Sequence, residues 1–189
     1  MNAGINTRKL TTMGILAGLS VASVFLIRFP IFPNAPFLEY DPADIPILIV
    51  TFAYGPLAGL IVTAVASIIQ GFTVSAHSGL YGVLMHIIST GSFALTAGII
   101  YRVRYNRLGA GIALFCGVLV SAGVMAVANM IITPLFMGVP VEVVKTMLLP
   151  VIIPFNLIKA GINGIVTFWL YKPISNLIKG RNCNGGKNG

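Results

Sequence analysis

Long apolar stretches separated by short polar segments dominate the chain. They cover residues 10–30, 43–72, 79–101, 108–137 and 146–171. Each has about 20 residues or more, the length that a helix needs to cross a hydrocarbon core of about 30 Å. The second stretch contains Tyr54-Gly55-Pro56, and proline disfavours a helical conformation in the residue before it. The pattern therefore allows either one long tilted helix over 43–72 or two short helices.

The basic residues decide between these possibilities. Nine of the twelve Lys and Arg residues lie within residues 8–9, 102–107 and 172–187. Since basic segments beside membrane helices favour the cytoplasmic side, an even number of crossings should separate residue 8 from residue 102. Only a break in the second stretch satisfies this condition. We predict six transmembrane helices with both ends in the cytoplasm, at about 10–30, 43–54, 56–72, 79–101, 108–137 and 146–171.

The composition agrees with an all-α integral membrane protein. Of the 189 residues, 57% are hydrophobic and 8% are charged, which is far from the composition of an ordinary soluble domain. The length suits a single membrane domain over residues 1–180, a compact six-helix bundle. We expect the polar segment 181–189 to be a disordered cytoplasmic tail.

Three of the four acidic residues lie in one loop, FLEYDPADIP at residues 37–46. Asp44 suits the first turn of the following helix, where a carboxylate is favourable to the helix dipole. We interpret it, like Glu142, as an acid of an exterior segment. Before it, apolar and acidic side chains alternate in the order Phe37, Leu38, Glu39, Tyr40 and Asp41. We expect this stretch to form an extracellular lid over a cavity, between the first and second helices.

Amide and ionisable side chains inside membrane helices mark functional sites. Asn156, Lys159 and Asn163 have the spacing i, i+3, i+7, which places them on one face of the last predicted helix. Lys159 would lie about 16 Å from the outer end of that helix. Four further polar residues fall in the outer halves of other helices: Gln70, Thr73, Tyr81 and Asn129. Hydrogen bonds between helices are the alternative explanation, but the combination favours a ligand site.

Several other chemistries are not indicated. The sequence contains no P-loop motif for a nucleotide and no ordered nucleophile and base pattern for catalysis. His77 and His86 stand nine residues apart without a neighbouring acid or cysteine, so no metal site is predicted and their role is open. A binding or transport function is therefore favoured over an enzyme.

Gly14, Gly18 and Ala22 recur at intervals of four residues in the first predicted helix. Such a face of small residues lets another helix approach closely. The partner is either a helix of the same bundle or a helix of another protein, and the sequence favours neither.

These features together resemble the S components, the substrate-capturing subunits of energy-coupling factor vitamin transporters. The L-x-Y-D-x-x-D-I-P motif at residues 38–46 resembles the riboflavin-specific branch of that family, and the resemblance extends over about residues 8–180. It implies a subunit that binds riboflavin outside the cell and carries no catalytic site or cofactor. It also implies docking through Gly14, Gly18 and Ala22 onto a membrane scaffold subunit that works with two cytoplasmic ATPases.

The resemblance gives the polar residues provisional roles. The Asn side chains and Lys159 suit the polar edge of the riboflavin ring, whereas Glu39 and the loop backbone suit its ribityl hydroxyls. Asp41 is expected to hold the turn. The full predicted binding set is Phe37, Leu38, Glu39, Tyr40, Asp41, Gln70, Thr73, Tyr81, Asn129, Asn156, Lys159 and Asn163. An S component for pantothenate or thiamin, or a stand-alone secondary transporter, is the alternative.

Overall fold

Seven α-helices and one short β-hairpin form the described part of the chain. The structure is a computed structural model that describes residues 7–33 and 35–179, without the side chains of His77, Ile178 and Lys179. The predicted disordered tail, 181–189, lies outside the described residues. The helices are α1 (Thr7–Leu26), α2 (Asp44–Tyr54), α3 (Pro56–Phe72), α4 (Gly79–Val103), α5 (Arg107–Met137), α6 (Val141–Met147) and α7 (Ile153–Lys179).

Four helical segments in the described part are long and apolar enough to cross a membrane. They are α1, α4, α5 and the continuous segment from Val141 to Leu177. The helices α2 and α3 have 11 and 17 residues, or about 16 and 25 Å. The all-helical, membrane-type architecture is therefore confirmed, whereas the count of six crossings stays a prediction.

Gly55 separates α2 from α3, at the position where the sequence predicts a break. Its φ angle of +96° lies in a region that residues with a side chain rarely adopt. Its N–H donates to the carbonyl of Thr51 at 2.8 Å and closes α2. Pro56 then begins α3, where the N–H that proline lacks is not needed.

The helix α2 lies at the centre of the bundle and contacts α1, α3, α4 and α7. Nine of its eleven residues are buried. Glycines permit the close packing around it: a Cβ atom at Gly98 of α4 would lie 2.8 Å from Cγ2 of Thr51. Because α2 is much shorter than its neighbours, space remains beyond its first residue.

Residues 27–33 and 35–43 enter this space, and we call them the hairpin segment. Two short strands, β1 (Phe29–Pro30) and β2 (Glu39–Tyr40), pair antiparallel within it. The segment packs on the first turn of α7 and on the residue before it through an apolar cluster that contains Leu38, Ile152 and Phe155. Ser20 of α1 donates a hydrogen bond to the carbonyl of Ala43 at 2.9 Å and fixes the end of the segment.

Packed aromatic rings fill the opposite end of the bundle, where α4 and α7 approach the end of α2. Phe52 lies with its ring centroid 4.4 Å from that of Tyr101 and 5.2 Å from that of Tyr171. We call the following residues the aromatic cluster: Phe52, Tyr101, Tyr105, Phe168 and Tyr171.

Candidate functional site

A cavity lies between the hairpin segment and the helices α3, α4, α5 and α7. Its empty space, counted out into the solvent at the open mouth, is about 970 Å³. Nine of the twelve predicted binding residues line it: Phe37, Leu38, Glu39, Asp41, Gln70, Tyr81, Asn129, Asn156 and Lys159. Of the three residues that helical spacing placed on one face of the last helix, Asn156 and Lys159 line the cavity.

The other three predicted residues are not among the lining residues. Thr73 follows α3, is exposed, and donates its hydroxyl to the carbonyl of Ile69 at 2.6 Å. Asn163 lies one helical turn beyond Lys159 and is fully buried. Tyr40 donates its hydroxyl to Oδ1 of Asn163 at 3.1 Å, so both side chains are used within the protein.

Lys159 forms an ion pair with Asp41 of the hairpin segment. The distance from Nζ to Oδ2 is 2.7 Å. The other oxygen of Asp41 accepts the backbone N–H of Ala43 at 3.1 Å, which confirms that Asp41 holds the turn. Burial opposes ionisation of Asp41, but the Lys159 ammonium and the Ala43 N–H outweigh it, and the pKa of this carboxyl lies below its ordinary value.

Asp44 is buried, which corrects its interpretation as an exterior acid. It lies in the first turn of α2, as predicted, but its exposed fraction is only 3%. Thr90 donates to its Oδ1 at 2.5 Å and Asn163 donates to its Oδ2 at 2.9 Å. The short α2 begins inside the bundle and not at its surface, so its first residue is enclosed by α4 and α7.

Two asparagines on the α5 and α7 side of the cavity are held by their own helices. Asn129 donates to the carbonyl of Met125 at 2.8 Å and accepts the hydroxyl of Thr133 at 2.8 Å. Asn156 donates to the carbonyl of Ile152 at 2.8 Å. An amide has two N–H groups and two lone pairs. Each side chain is therefore fixed in orientation and retains hydrogen-bonding capacity for a ligand.

The α3 and α4 side of the cavity carries further polar residues, which the sequence pattern did not mark as binding residues. Ser67 hydrogen-bonds Nδ1 of His86 at 2.7 Å, and Ser89 lies one turn further along α4. Nε2 of His86 lies 4.0 Å from Asp44. Among the described residues, no group of three His, Cys, Asp or Glu side chains is placed to hold a metal ion.

The side-chain amide of Gln70, on the same wall, lacks a hydrogen bond. Among the buried side-chain nitrogen and oxygen atoms in the described part of the chain, its Nε2 is the one without a partner. The residue is 4% exposed and lines the cavity. A buried amide without a partner carries a free-energy penalty of about 1–3 kcal/mol, which a ligand acceptor would relieve.

Arg28 joins the hairpin segment to the connection between α3 and α4. Its guanidinium contacts the Glu39 carboxylate and donates to the carbonyl of Val74 at 2.6 Å. Both charged residues line the cavity. The hydrogen bond to Val74 therefore links the hairpin segment to the connection between α3 and α4. Arg28 itself was not predicted as a lining residue.

The small residues of α1 face away from the bundle. Gly14, Gly18 and Ala22 are exposed, and a Cβ atom at either glycine would have nothing within 4 Å. The opposite face of α1 packs inward through residues such as Leu16 and Val24. The small-residue face is therefore not used for packing within the described chain.

Known proteins of similar sequence and structure match nearly the whole chain. Residues 8–171 match the family described as "ECF transporter, substrate-specific component". The "Riboflavin transporter RibU" of Staphylococcus aureus (strain TCH60) is 29% identical over 178 residues, covering 91% of this chain and 93% of that protein. The "Riboflavin transporter FmnP" of Bacillus subtilis (strain 168) is 27% identical over 171 residues, covering 86% and 89%.

A solved structure, described as "Structure and mechanism of the S component of a bacterial ECF transporter", superposes with a TM-score of 0.79. It is 29% identical and covers 92% of this chain and 98% of its own. The fold and the family match agree with the resemblance found in the loop motif. The chain belongs to the substrate-specific components of ECF transporters.

Proposed function

We propose that this chain captures riboflavin in the cavity and delivers it inward as the substrate-binding subunit of an ATP-driven transporter. The observation that carries the proposal is the cavity wall, where Asn129, Asn156 and Lys159 stand beside apolar side chains. Riboflavin has a broad apolar ring system with one edge of carbonyl, N–H and ring nitrogen groups. The two relatives with riboflavin in their names support this choice of ligand.

Lys159 and the asparagines bind the polar edge of the ring in this proposal. The Lys159 ammonium has three N–H donors, and one points to Asp41. The remaining donors serve a ring carbonyl or nitrogen, while the amides both donate and accept. Phe37, Leu38 and Phe155 supply apolar walls for the ring. Tyr40 and Asn163 support this wall from behind, and Thr73 has a role in ending α3.

The ribityl chain lies nearer the mouth, beside Glu39 and Gln70. The hairpin segment is the lid, held closed by the contacts of Arg28 with Glu39 and Val74. The topology has six crossings in one membrane domain over residues 1–180, with the lid outside the cell and both termini in the cytoplasm. Burial of Phe37 and Leu38 against the ligand would favour the closed lid.

Transport requires partner chains in this proposal. Gly14, Gly18 and Ala22 dock onto a membrane scaffold subunit, and two cytoplasmic ATPases supply the energy. Their exposure along one side of α1 supports this role, because small residues allow helix backbones to pack closely in a bilayer.

The test is a flavin titration of the purified protein in detergent. We expect riboflavin fluorescence to be quenched on binding, and Asn156→Ala and Lys159→Ala to weaken binding roughly tenfold or more, the effect of losing a ligand hydrogen bond. Asn176→Ala and Lys172→Ala, on the same helix but outside the cavity lining, are the matched controls. If riboflavin does not bind at all, the ligand assignment fails, and pantothenate and thiamin are the next ligands to titrate.

A further inference from the structure

A second concave surface lies on the outside of the bundle, away from the cavity and from the small-residue face of α1. It is a groove between the beginning of α5 and the second half of α7. Its lining residues, all apolar or glycine except the first, are Arg107, Leu108, Gly111, Ile112, Phe115 and Phe168. Leu108 and Phe115 are 65% and 66% exposed, so the groove is open along its length.

The shape of the groove suits an extended hydrocarbon chain. Gly111 forms its floor, where a Cβ atom would already touch Phe168, 3.7 Å from Cε2. From Arg107 to Phe115 the groove runs about 12 Å along α5. One leaflet of a bilayer has about 15 Å of hydrocarbon. An acyl chain that lies in the groove would therefore remain at its normal depth.

The charge at one end of the groove suits an anionic headgroup. Arg107 is the first residue of α5. Arg102 in the last turn of α4 and Arg104 in the connection between the two helices precede it, and all three are exposed. The sequence has no acidic residue between Asp44 and Glu142. The exposed Tyr105 beside them is typical of a residue at the membrane interface. A positive segment at the interface attracts anionic lipids.

We propose that this groove binds one anionic phospholipid. Its phosphate contacts Arg107, and one acyl chain lies over Gly111 against Phe115 and Phe168. The site is independent of the vitamin cavity, because the two share no lining residue.

Trp169 provides a local probe for this site. It is the single tryptophan of the chain and is 73% exposed, and its ring centroid lies 6.3 Å from that of Phe168. The protein is placed in mixed micelles of phosphatidylglycerol and phosphatidylcholine, with bromine on the acyl chains of only one lipid at a time. Bromine quenches tryptophan fluorescence at short range. From the quenching that each brominated lipid produces, we expect the site to prefer phosphatidylglycerol over phosphatidylcholine about fivefold. This is the factor expected for one arginine beside an anionic headgroup.

Substitutions separate the two parts of the site. Arg107→Gln should abolish the preference, while Arg107→Lys should retain most of it because the charge remains. Gly111→Leu should also abolish it, by filling the groove while leaving Arg107 in place. Arg8→Gln is the matched control, since it removes a basic residue at the start of α1.

Two results would overturn the proposal. Equal quenching by the two brominated lipids would show that the groove does not select an anionic lipid. A helix of another membrane protein would then be the next candidate to occupy the groove. A preference that survives both Arg107→Gln and Gly111→Leu would place the selective lipid elsewhere. Riboflavin titration and circular dichroism of each variant check that it is folded.

Discussion

Asn163 holds three parts of the chain together through one amide group. It accepts from Tyr40 and donates to both the carbonyl of Asp41, at 3.1 Å, and the carboxylate of Asp44. These partners belong to the hairpin segment and to α2, while Asn163 itself belongs to α7. A side chain that the spacing marks as a ligand contact thus stabilises the wall against which the ligand would lie.

Because Asp41 forms an ion pair with Lys159, the stability of the folded protein should depend on the Asp41 carboxylate. Asp41→Asn would leave a buried ammonium without its counter-charge, and loss of one partner of a buried pair typically destabilises by about 3 kcal/mol or more. We expect a lower thermal unfolding temperature in detergent at pH 7. The double variant Asp41→Asn with Lys159→Met should recover part of the loss, since no charge is then left unpaired.

The same pair predicts the direction of a pH effect. The pKa of Asp41 is lower in the folded protein than its ordinary value, so its contribution to stability is present above about pH 4 and is lost as the pH falls through the folded-state pKa. Wild-type protein should lose more stability between pH 7 and pH 3 than Asp41→Asn. Identical losses in the two proteins would contradict this role for Asp41.

At the residue scale, the sequence predicted most of the amide and acidic side of the cavity. Polar residues such as Asn156 and Lys159 are conspicuous in an apolar helix because burial without a partner is unfavourable. Ser67 was missed for a different reason. Serine hydroxyls bond readily to the preceding turn of their own helix, as Ser67 does to Thr63 at 2.6 Å, so their presence does not indicate which way they face.

At the element scale, the length of α2 determines where the cavity can lie. The break at Gly55 was predictable from the following proline and from the charge distribution. The burial of Asp44 was not predictable, because the sequence does not show how far the start of a short helix lies below the ends of its neighbours.

The last helical segment begins earlier than predicted. The segment predicted as 146–171 is helical from Val141 onward. A π-helical turn at Leu148–Ile152 accommodates Pro150, which cannot donate an α-helical hydrogen bond.

The packing of α4 on the junction of α2 and α3 gives an element-scale prediction. A Cβ atom at Gly98 would lie 2.8 Å from side-chain carbons of Thr51 and Pro56 and 2.9 Å from Cα of Pro56. We expect Gly98→Ala to destabilise the protein by about 1–3 kcal/mol through overpacking. Gly123→Ala on α5 is the control because its Cβ atom would meet nothing within 4 Å.

Thermal unfolding of the two variants in the same detergent measures the difference. Gly123→Ala should leave the unfolding temperature unchanged or raise it slightly, since alanine favours a helix. If both alanines had the same effect, the close approach of α4 to Pro56 would not be the constraint.

At the scale of the whole molecule, the proposed binding cavity and the proposed docking face of α1 are separate surfaces. Gly14→Leu with Gly18→Leu should prevent co-purification with the scaffold subunit, because leucines would hold the partner helix away. Riboflavin binding should stay within about twofold of wild type. Gly123→Leu, another exposed glycine without close neighbours, is the control for added bulk. A double variant that still co-purifies normally would exclude this face of α1 as the docking surface.

The aromatic cluster has an electrical consequence for the free subunit. From Ser89, which lines the cavity, to Tyr101 in the aromatic cluster, α4 extends about 18 Å. The side chains of Phe93, Ala94 and Ala97 in between are almost fully buried. An ion that entered the cavity would have to lose its water against packed apolar groups, which is highly unfavourable. We therefore expect the chain on its own not to conduct ions, so that its presence in a membrane would leave the ion gradients across that membrane intact.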